Sequence, residues 1–141
     1  MTPRERSAGI ILFHLDQDIP QYLLLHYPSG HWDFAKGHIE KNETIQQTAL
    51  RECAEETGLK HIQFLPGFQE TIQYFYKRGK EVIFKEVTFF LGMSKTTKVT
   101  LSHEHIGYAW KPYEEALQQV TFATAKNILK KAHAYTQKDE D

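Results

Sequence analysis

Cysteine is almost missing from this 141-residue chain, with Cys53 the only one. A lone thiol excludes an internal disulfide and any cysteine-rich zinc site, and it suits a reducing compartment. Proline and glycine are sparse, five and eight residues, which excludes a collagenous or low-complexity chain. An excess of either charge is also lacking. Seventeen Lys and Arg oppose 18 Asp and Glu, for a net charge of −1. An overall basic body held on nucleic acid by charge alone is therefore excluded, whereas a small polyanion needs only a local cluster. No apolar run approaches the ~18–20 residues of a membrane span. The start, Met1-Thr-Pro-Arg-Glu-Arg6, has no apolar stretch of the kind that marks a secretory signal. The expectation is a cytoplasmic, soluble monomer with no membrane partner. What the chain does contain, 40% hydrophobic and 13% aromatic residues, can build a core. The length suits a single domain spanning 1–141.

Ser7–Phe13 and Tyr22–His26 are apolar runs that read as buried strands, joined by a turn over Asp16–Pro20. Tyr27–Gly30 reads as a loop. Thr44–Thr57 predicts a helix, with Asn42 as N-cap and Gly58 just past its end. His61–Glu70 and Tyr74–Tyr76 read as two extended segments, Glu81–Leu91 as a strand rich in Val, Phe and Thr, and Ile106–Trp110 as a short strand. Pro112 opens a helix to about Val120, and Ala123–Tyr135 forms the last one. The polar tail Gln137–Asp141 is expected to fray. Mixed strands with helices in the middle and at the end predict an α/β sandwich.

The helix over Thr44–Thr57 carries the chemical signal. At ~100° per residue, Ile45, Ala49, Leu50, Cys53 and Ala54 share one face, and Glu52, Glu55 and Glu56 gather beside it. Carboxylates three and four residues apart repel by about 0.2–0.5 kcal/mol per pair, and the C-terminal end of a helix disfavours anions further. A helix built for stability alone would avoid this arrangement, and a bound cation would reverse its sign. Clustered carboxylates without His or Cys favour a hard ion such as Mg²⁺, which shares its shell with water and substrate phosphates. The alternative is a solvated acidic face. Two histidines, His103 and His105, flank Glu104, but with no cysteine nearby they are weak evidence for zinc.

The run Gly37-His-Ile-Glu-Lys-Asn-Glu43, followed by Arg51-Glu-Cys-Ala-Glu55-Glu-Thr-Gly-Leu59, resembles the Nudix signature G-x5-E-x7-R-E-U-x-E-E-x-G-U. Gly37, Glu43, Arg51, Glu52, Glu55, Glu56, Gly58 and Leu59 occupy their places, and Cys53 stands where an aliphatic residue is usual. The resemblance implies an α/β/α sandwich with a mixed β-sheet and hydrolysis of a nucleoside diphosphate linked to another group. It further implies that Glu52, Glu55 and Glu56 hold divalent metal, with a backbone carbonyl near Lys36 or Gly37 completing the shell. Mg²⁺ is the expected ion and Mn²⁺ a substitute. Glu43 and Arg51 resemble the family's orienting ion pair and are grouped with the catalytic residues for that reason.

Two flanking segments, His31-Trp-Asp-Phe-Ala-Lys-Gly-His38 and Leu101-Ser-His-Glu-His-Ile-Gly-Tyr-Ala-Trp110, are similar to the animal and archaeal asymmetrical diadenosine tetraphosphate hydrolases. Ala35 replaces a proline usual there. This resemblance implies attack by water that releases ATP and AMP, with a dinucleoside polyphosphate as the small-molecule partner. Tyr74, or Tyr76 after a register shift, and Tyr108 would clamp an adenine. His31 and Lys36 would steady the phosphates, with Lys77, Arg78, Lys80 and Lys85 as further cations. Glu104 or Glu55 would act as general base. Trp32 and Trp110 are expected to pack, and Cys53 to be inert core. The nearest enzymatic alternative is an RNA 5′-end pyrophosphohydrolase or decapping enzyme acting on capped RNA ends. An alternative of another class is a catalytically inactive nucleotide-binding module, although a pure binder need not keep three repelling carboxylates.

Overall fold

The computed structural model describes residues 2–138. The last residues of the tail expected to fray, 139–141, lie outside that range. Strands β1 (Arg4–Asp16) and β2 (Ile19–His26) form a hairpin in which Leu15 faces Pro20 and Asp16 faces Ile19. Gln17 and Asp18 between them both have positive φ, 52° and 66°, the backbone that a two-residue hairpin loop needs. Two short strands follow, β3 (Trp32–Asp33) and β4 (Ala35–His38), neither of which the sequence reading assigned. Then come helix α1 (Ile45–Thr57), the long strands β5 (Ile62–Arg78) and β6 (Glu81–Ser94), β7 (Gly107–Pro112), and helices α2 (Tyr113–Gln119) and α3 (Ala123–Thr136).

The sheet is mixed, as expected. Its path runs β3-β2-β1-β6-β5, with β4 paired to β1 and β7 to β2. The β1–β6 pair is parallel and every other pair is antiparallel. The two extended segments expected between 61 and 76 are one strand. Its ladder shifts register between Phe64 and Gln69, where Pro66 has no N–H to donate and Gly67 takes φ 91°.

Pleat parity divides the core. Ile11, Phe13, Tyr22, Leu24, Phe89 and Leu91 face α2 and α3, packing on Ala116, Val120, Ala125, Ile128 and Leu129. Ile10, Leu12, Leu23 and Leu25 face the other way and pack with Cys53 and Leu59, while Ala8 and Phe90 pack with Ala49 of α1. Helices therefore cover both faces, which is the expected α/β/α sandwich. Among the described residues, no helix is long and apolar enough to cross a membrane.

Helix α1 differs in detail from its sequence reading. Thr44, not Asn42, is the N-cap. Its hydroxyl accepts from the Gln47 amide at 3.1 Å, while the Gln47 side chain accepts from the Thr44 amide at 2.9 Å. Asn42 instead takes φ 68° in the preceding turn, which asparagine tolerates. The buried positions are Thr48, Ala49, Cys53, Glu56 and Thr57, so the inward face is rotated away from Leu50 and Ala54. Gly58 ends the helix at φ 75°, as expected of a C-terminal glycine. Pro112 is the residue before α2, whose first turn starts at Tyr113. Replacing Thr44 with Ala removes the hydroxyl half of the capping box, leaving the Gln47 amide without its acceptor. The expected cost is about 1 kcal/mol of stability, read as a fall of a few degrees in the thermal midpoint.

Candidate active site

Helix α1 lies against β4 so closely that a Cβ on Gly37 would sit 2.0 Å from the Glu52 carboxyl carbon. A side chain at position 37 would displace the Glu52 carboxylate. The close approach places the helix carboxylates along the strand that carries Lys36, which faces the opposite side of the sheet from Gly37. Arg51 holds the arrangement in register. Its Nε and Nη2 engage both oxygens of Glu43 at 2.6 and 3.0 Å, its Nη1 reaches Glu52 at 2.8 Å and Glu55 at 3.3 Å, and its Nη2 also reaches the His38 carbonyl at 3.0 Å. The Thr48 hydroxyl donates to Glu43 at 2.7 Å. Hydrogen bonds from Arg51 and then Thr48 pull the Glu43 carboxyl down to about 2. This is the expected ion pair.

The three glutamates occupy unequal environments. Glu55 is exposed and turned to Arg51, Glu52 is mostly covered, and Glu56 is buried. Burial, then the adjacent Glu52 and Glu104, hold the Glu56 carboxyl well above the usual carboxylate range. Its Oε2 has no hydrogen-bond partner. Its Oε1 lies 3.1 Å from Nε2 of buried His105, a contact without hydrogen-bond alignment. Sequence reasoning missed His105 as a neighbour of Glu56. The loop 95–106 brings it there through backbone hydrogen bonds to the end of α1, Thr100 to Thr57 and Ser102 to Glu56. The same loop carries exposed Glu104, whose charge is felt at Glu56 and His105.

Tyr27 joins the two halves of the site. Its hydroxyl donates to the Phe34 carbonyl at 2.7 Å, and its ring stacks on His31 at 4.5 Å and meets His105 edge-on. Burial, then Glu56, Asp33, Glu52 and Glu104, push its hydroxyl pKa up strongly, so it stays neutral. Beyond His31 opens a cavity of about 560 Å³, lined by Lys36, Tyr74, Tyr76, Phe89, Phe122 and the first residues of α3 among others. Lys36 Nζ donates to Asp33 at 3.0 Å. Burial works against this ammonium, but Asp33 and Tyr74 outweigh it and hold its pKa above the usual value. Burial lowers the His31 pKa, which favours its neutral form.

The structure thus gathers His31, Lys36, Tyr74 and Tyr76 at the cavity on one face of β4, and Gly37, Glu52 and Glu56, with Glu104 near by, on the other. It does not bring Tyr108 to the cavity. Tyr108 faces Leu25 across the β2–β7 ladder, on the side of the sheet opposite to Tyr74. Phe122, half-exposed beside His31 at a ring distance of 5.1 Å, lines the cavity there. It went unnoticed because a lone Phe before a helix carries no sequence signal. Lys80 lies in the exposed β5–β6 turn, away from the lining. Trp32 and Trp110 pack against the two core clusters, and Cys53 is buried with its thiol pushed up to about 11, chiefly by burial.

Among the described residues, no three His, Cys, Asp or Glu side chains stand ready as a metal cage. Glu52 and Glu56 do converge, and the unpartnered Glu56 Oε2 is an oxygen donor in need of a cation. That donor set fits a hard divalent ion with open positions. In metal chelator, Glu56→Gln is expected to melt above the parent protein, because an amide is cheaper to bury than a crowded carboxylate. Added Mg²⁺ should raise the melting point of the parent only. The Glu43–Arg51 pair makes a second prediction. Its carboxyl has a lowered folded pKa, so its stabilisation is present above about 4.5 and lost as pH falls toward about 2. Acid unfolding of Glu43→Gln should lack this part of the pH dependence.

Comparison with known proteins follows the same lines. The family model described as NUDIX domain matches residues 3–132. The bis(5′-nucleosyl)-tetraphosphatase [asymmetrical] of Mus musculus is 32% identical over 142 residues, covering 92% of this chain and 94% of that protein. The RNA pyrophosphohydrolase of Sulfurovum sp. (strain NBC37-1) is 30% identical over 135 residues, covering 87% and 86%. The crystal structure of a C. elegans Ap4A hydrolase binary complex superimposes with a TM-score of 0.83 at 28% identity, covering 94% of this chain and 97% of that one.

Proposed function

Because this chain belongs to the NUDIX family, we propose that it is a Mg²⁺-dependent asymmetrical dinucleoside tetraphosphatase that cuts diadenosine tetraphosphate into ATP and AMP. The observation that carries the reading is a buried unpartnered carboxylate on one face of β4 and, on the other, a cavity lined by an ammonium and aromatic rings. A carboxylate pair alone would serve any phosphate anhydride. Aromatic rings beside Lys36 and His31 suit a ligand with a base at the end of a long polyanion. The relatives named as tetraphosphatases agree with this class of substrate.

Mg²⁺ bound by Glu52 and Glu56 would polarise the scissile phosphoryl group and acidify the attacking water. Glu55, exposed and accepting from Arg51, would contribute through water. The Glu104 carboxylate takes the proton from water, a role worth ~10²–10⁴-fold when within hydrogen-bonding reach. Water adds to the phosphorus beside one adenosine, the bridging P–O bond breaks, and ATP departs with that bridging oxygen. Lys36 and His31 hold the phosphates. Tyr74 and Phe122 stack on the base at ~1–3 kcal/mol each. Arg51 and Glu43 act by keeping the helix aligned. The cytosol, rich in nucleotides and Mg²⁺, is the compartment that suits such an enzyme.

A second reading, removal of pyrophosphate from RNA 5′ ends, draws support from the Sulfurovum relative. It requires a basic track beyond the pocket, which the net charge of −1 disfavours. Incubation with diadenosine tetraphosphate and Mg²⁺ in ¹⁸O-water separates the two. Equal ATP and AMP with the label on AMP is the expected outcome. Two ADP would refute the asymmetric cut, and turnover only of triphosphorylated RNA would establish the second reading.

A further inference from the structure

Next to the cavity, three strands place charged and aromatic side chains on one sheet face. Glu5 of β1 is opposite Lys85 of β6, and Lys85 is opposite Tyr74 of β5, with Tyr76 two residues further along the same face. The Glu5 carboxylate accepts from the Tyr76 hydroxyl at 2.5 Å and from Arg78, and it lies 3.6 Å from Lys85 Nζ. Arg78 also donates to the Tyr76 hydroxyl at 2.9 Å. Two cations and a hydroxyl thus converge on one carboxylate. Tyr76 itself lines the cavity, and the Lys85 charge is close enough to Lys36 to be disfavoured by it. Other cations of the neighbourhood are spent elsewhere: Arg4 and Arg6 approach Glu86, which lies on the opposite face.

Resting on the dinucleoside polyphosphate reading above, we propose that Glu5 is a built-in anion that occupies a phosphate subsite formed by Lys85, Arg78 and Tyr76, and that the polyphosphate chain displaces it. The donor set is the one a phosphate oxygen would choose, a guanidinium, an ammonium and a hydroxyl. One carboxylate against two cations leaves an excess positive charge, so a polyanion continuing past Lys36 finds both attraction and an occupant to move. Glu5 sits near the start of β1, where its side chain can swing away without breaking the core. In the free protein it keeps Lys85 and Arg78 from repelling each other. In the complex its negative charge opposes the ligand. It is therefore a specificity-determining residue that weakens binding, and its removal strengthens it.

A purely structural role predicts the opposite sign, because loss of Glu5 would then disorder Tyr76 and Arg78. Inorganic tripolyphosphate titrated calorimetrically into the full chain tells these apart without turnover. Glu5→Gln is expected to bind about tenfold tighter than the parent, the size of effect that one nearby charge exerts at a partly screened site. Glu5→Asp keeps the charge, withdraws it by one methylene, and should bind two- to threefold tighter, about that range. Arg78→Gln should cost several-fold more affinity in the Glu5→Gln background than in the parent. Equal or weaker binding by both Glu5 variants, or an equal cost of Arg78→Gln in the two backgrounds, would overturn the proposal. Failure to cleave diadenosine tetraphosphate with tighter tripolyphosphate binding would count against the substrate reading alone.

Discussion

Burying the Glu56 carboxylate at the seam of α1 and β4 is the constraint to which the rest of the structure answers. Burial and the neighbouring Glu52 push its pKa up to about 9, so near neutral pH folding costs this side chain the uptake of a proton. The fold counters with a fixed geometry rather than with a partner charge. Gly37 leaves room for the Glu52 carboxylate against the strand, and one guanidinium, that of Arg51, holds Glu43, Glu52, Glu55 and the His38 carbonyl. The repulsion left over is what a divalent cation would relieve, so the instability of the empty carboxylate pair and its affinity for metal have one origin.

The sheet turns this seam into a site by parity. Alternation along β4 sends Gly37 to the α1 side and Lys36 to the cavity side. Carboxylates for a cation and an ammonium for a phosphate thus sit back to back across a single strand. Tyr27 and His31 bridge the two sides by stacking, and the loop 95–106 closes the end of α1 through backbone hydrogen bonds. Four cations of this region are held by neighbouring carboxylates: Lys36 by Asp33, Lys85 and Arg78 by Glu5, Arg51 by Glu43. A polyanionic ligand binding such a site competes with internal carboxylates, and its affinity reports the difference.

Much of this was legible from residues in order. The acidic cluster on a helix, the Gly37 and Gly58 positions, the mixed α/β/α architecture and the packing roles of Cys53, Trp32 and Trp110 follow from spacing, from chemical type and from resemblance to a family. The misreadings have physical causes. Tyr108 lies outside the cavity lining, because the β2–β7 register turns it to the face opposite Tyr74. Asn42 satisfies N-cap preference, but the capping box of Thr44 and Gln47 makes two reciprocal hydrogen bonds and sets the start two residues later. Strands β3 and β4 are too short to show periodicity.

Sequence alone determined the chemical inventory: which helix holds the carboxylates, where that helix ends, and that a small polyanion needs only a local cluster at this net charge. Those properties depend on neighbours three or four residues apart, where helix geometry leaves little choice. Tertiary structure decided which carboxylate is buried, that His105 lies against Glu56, that Phe122 rather than Tyr108 borders the cavity, and that Glu5 reaches across to Tyr76, Arg78 and Lys85. These contacts join residues tens of positions apart. They depend on strand register and pleat, where a shift of one residue turns a side chain to the other face.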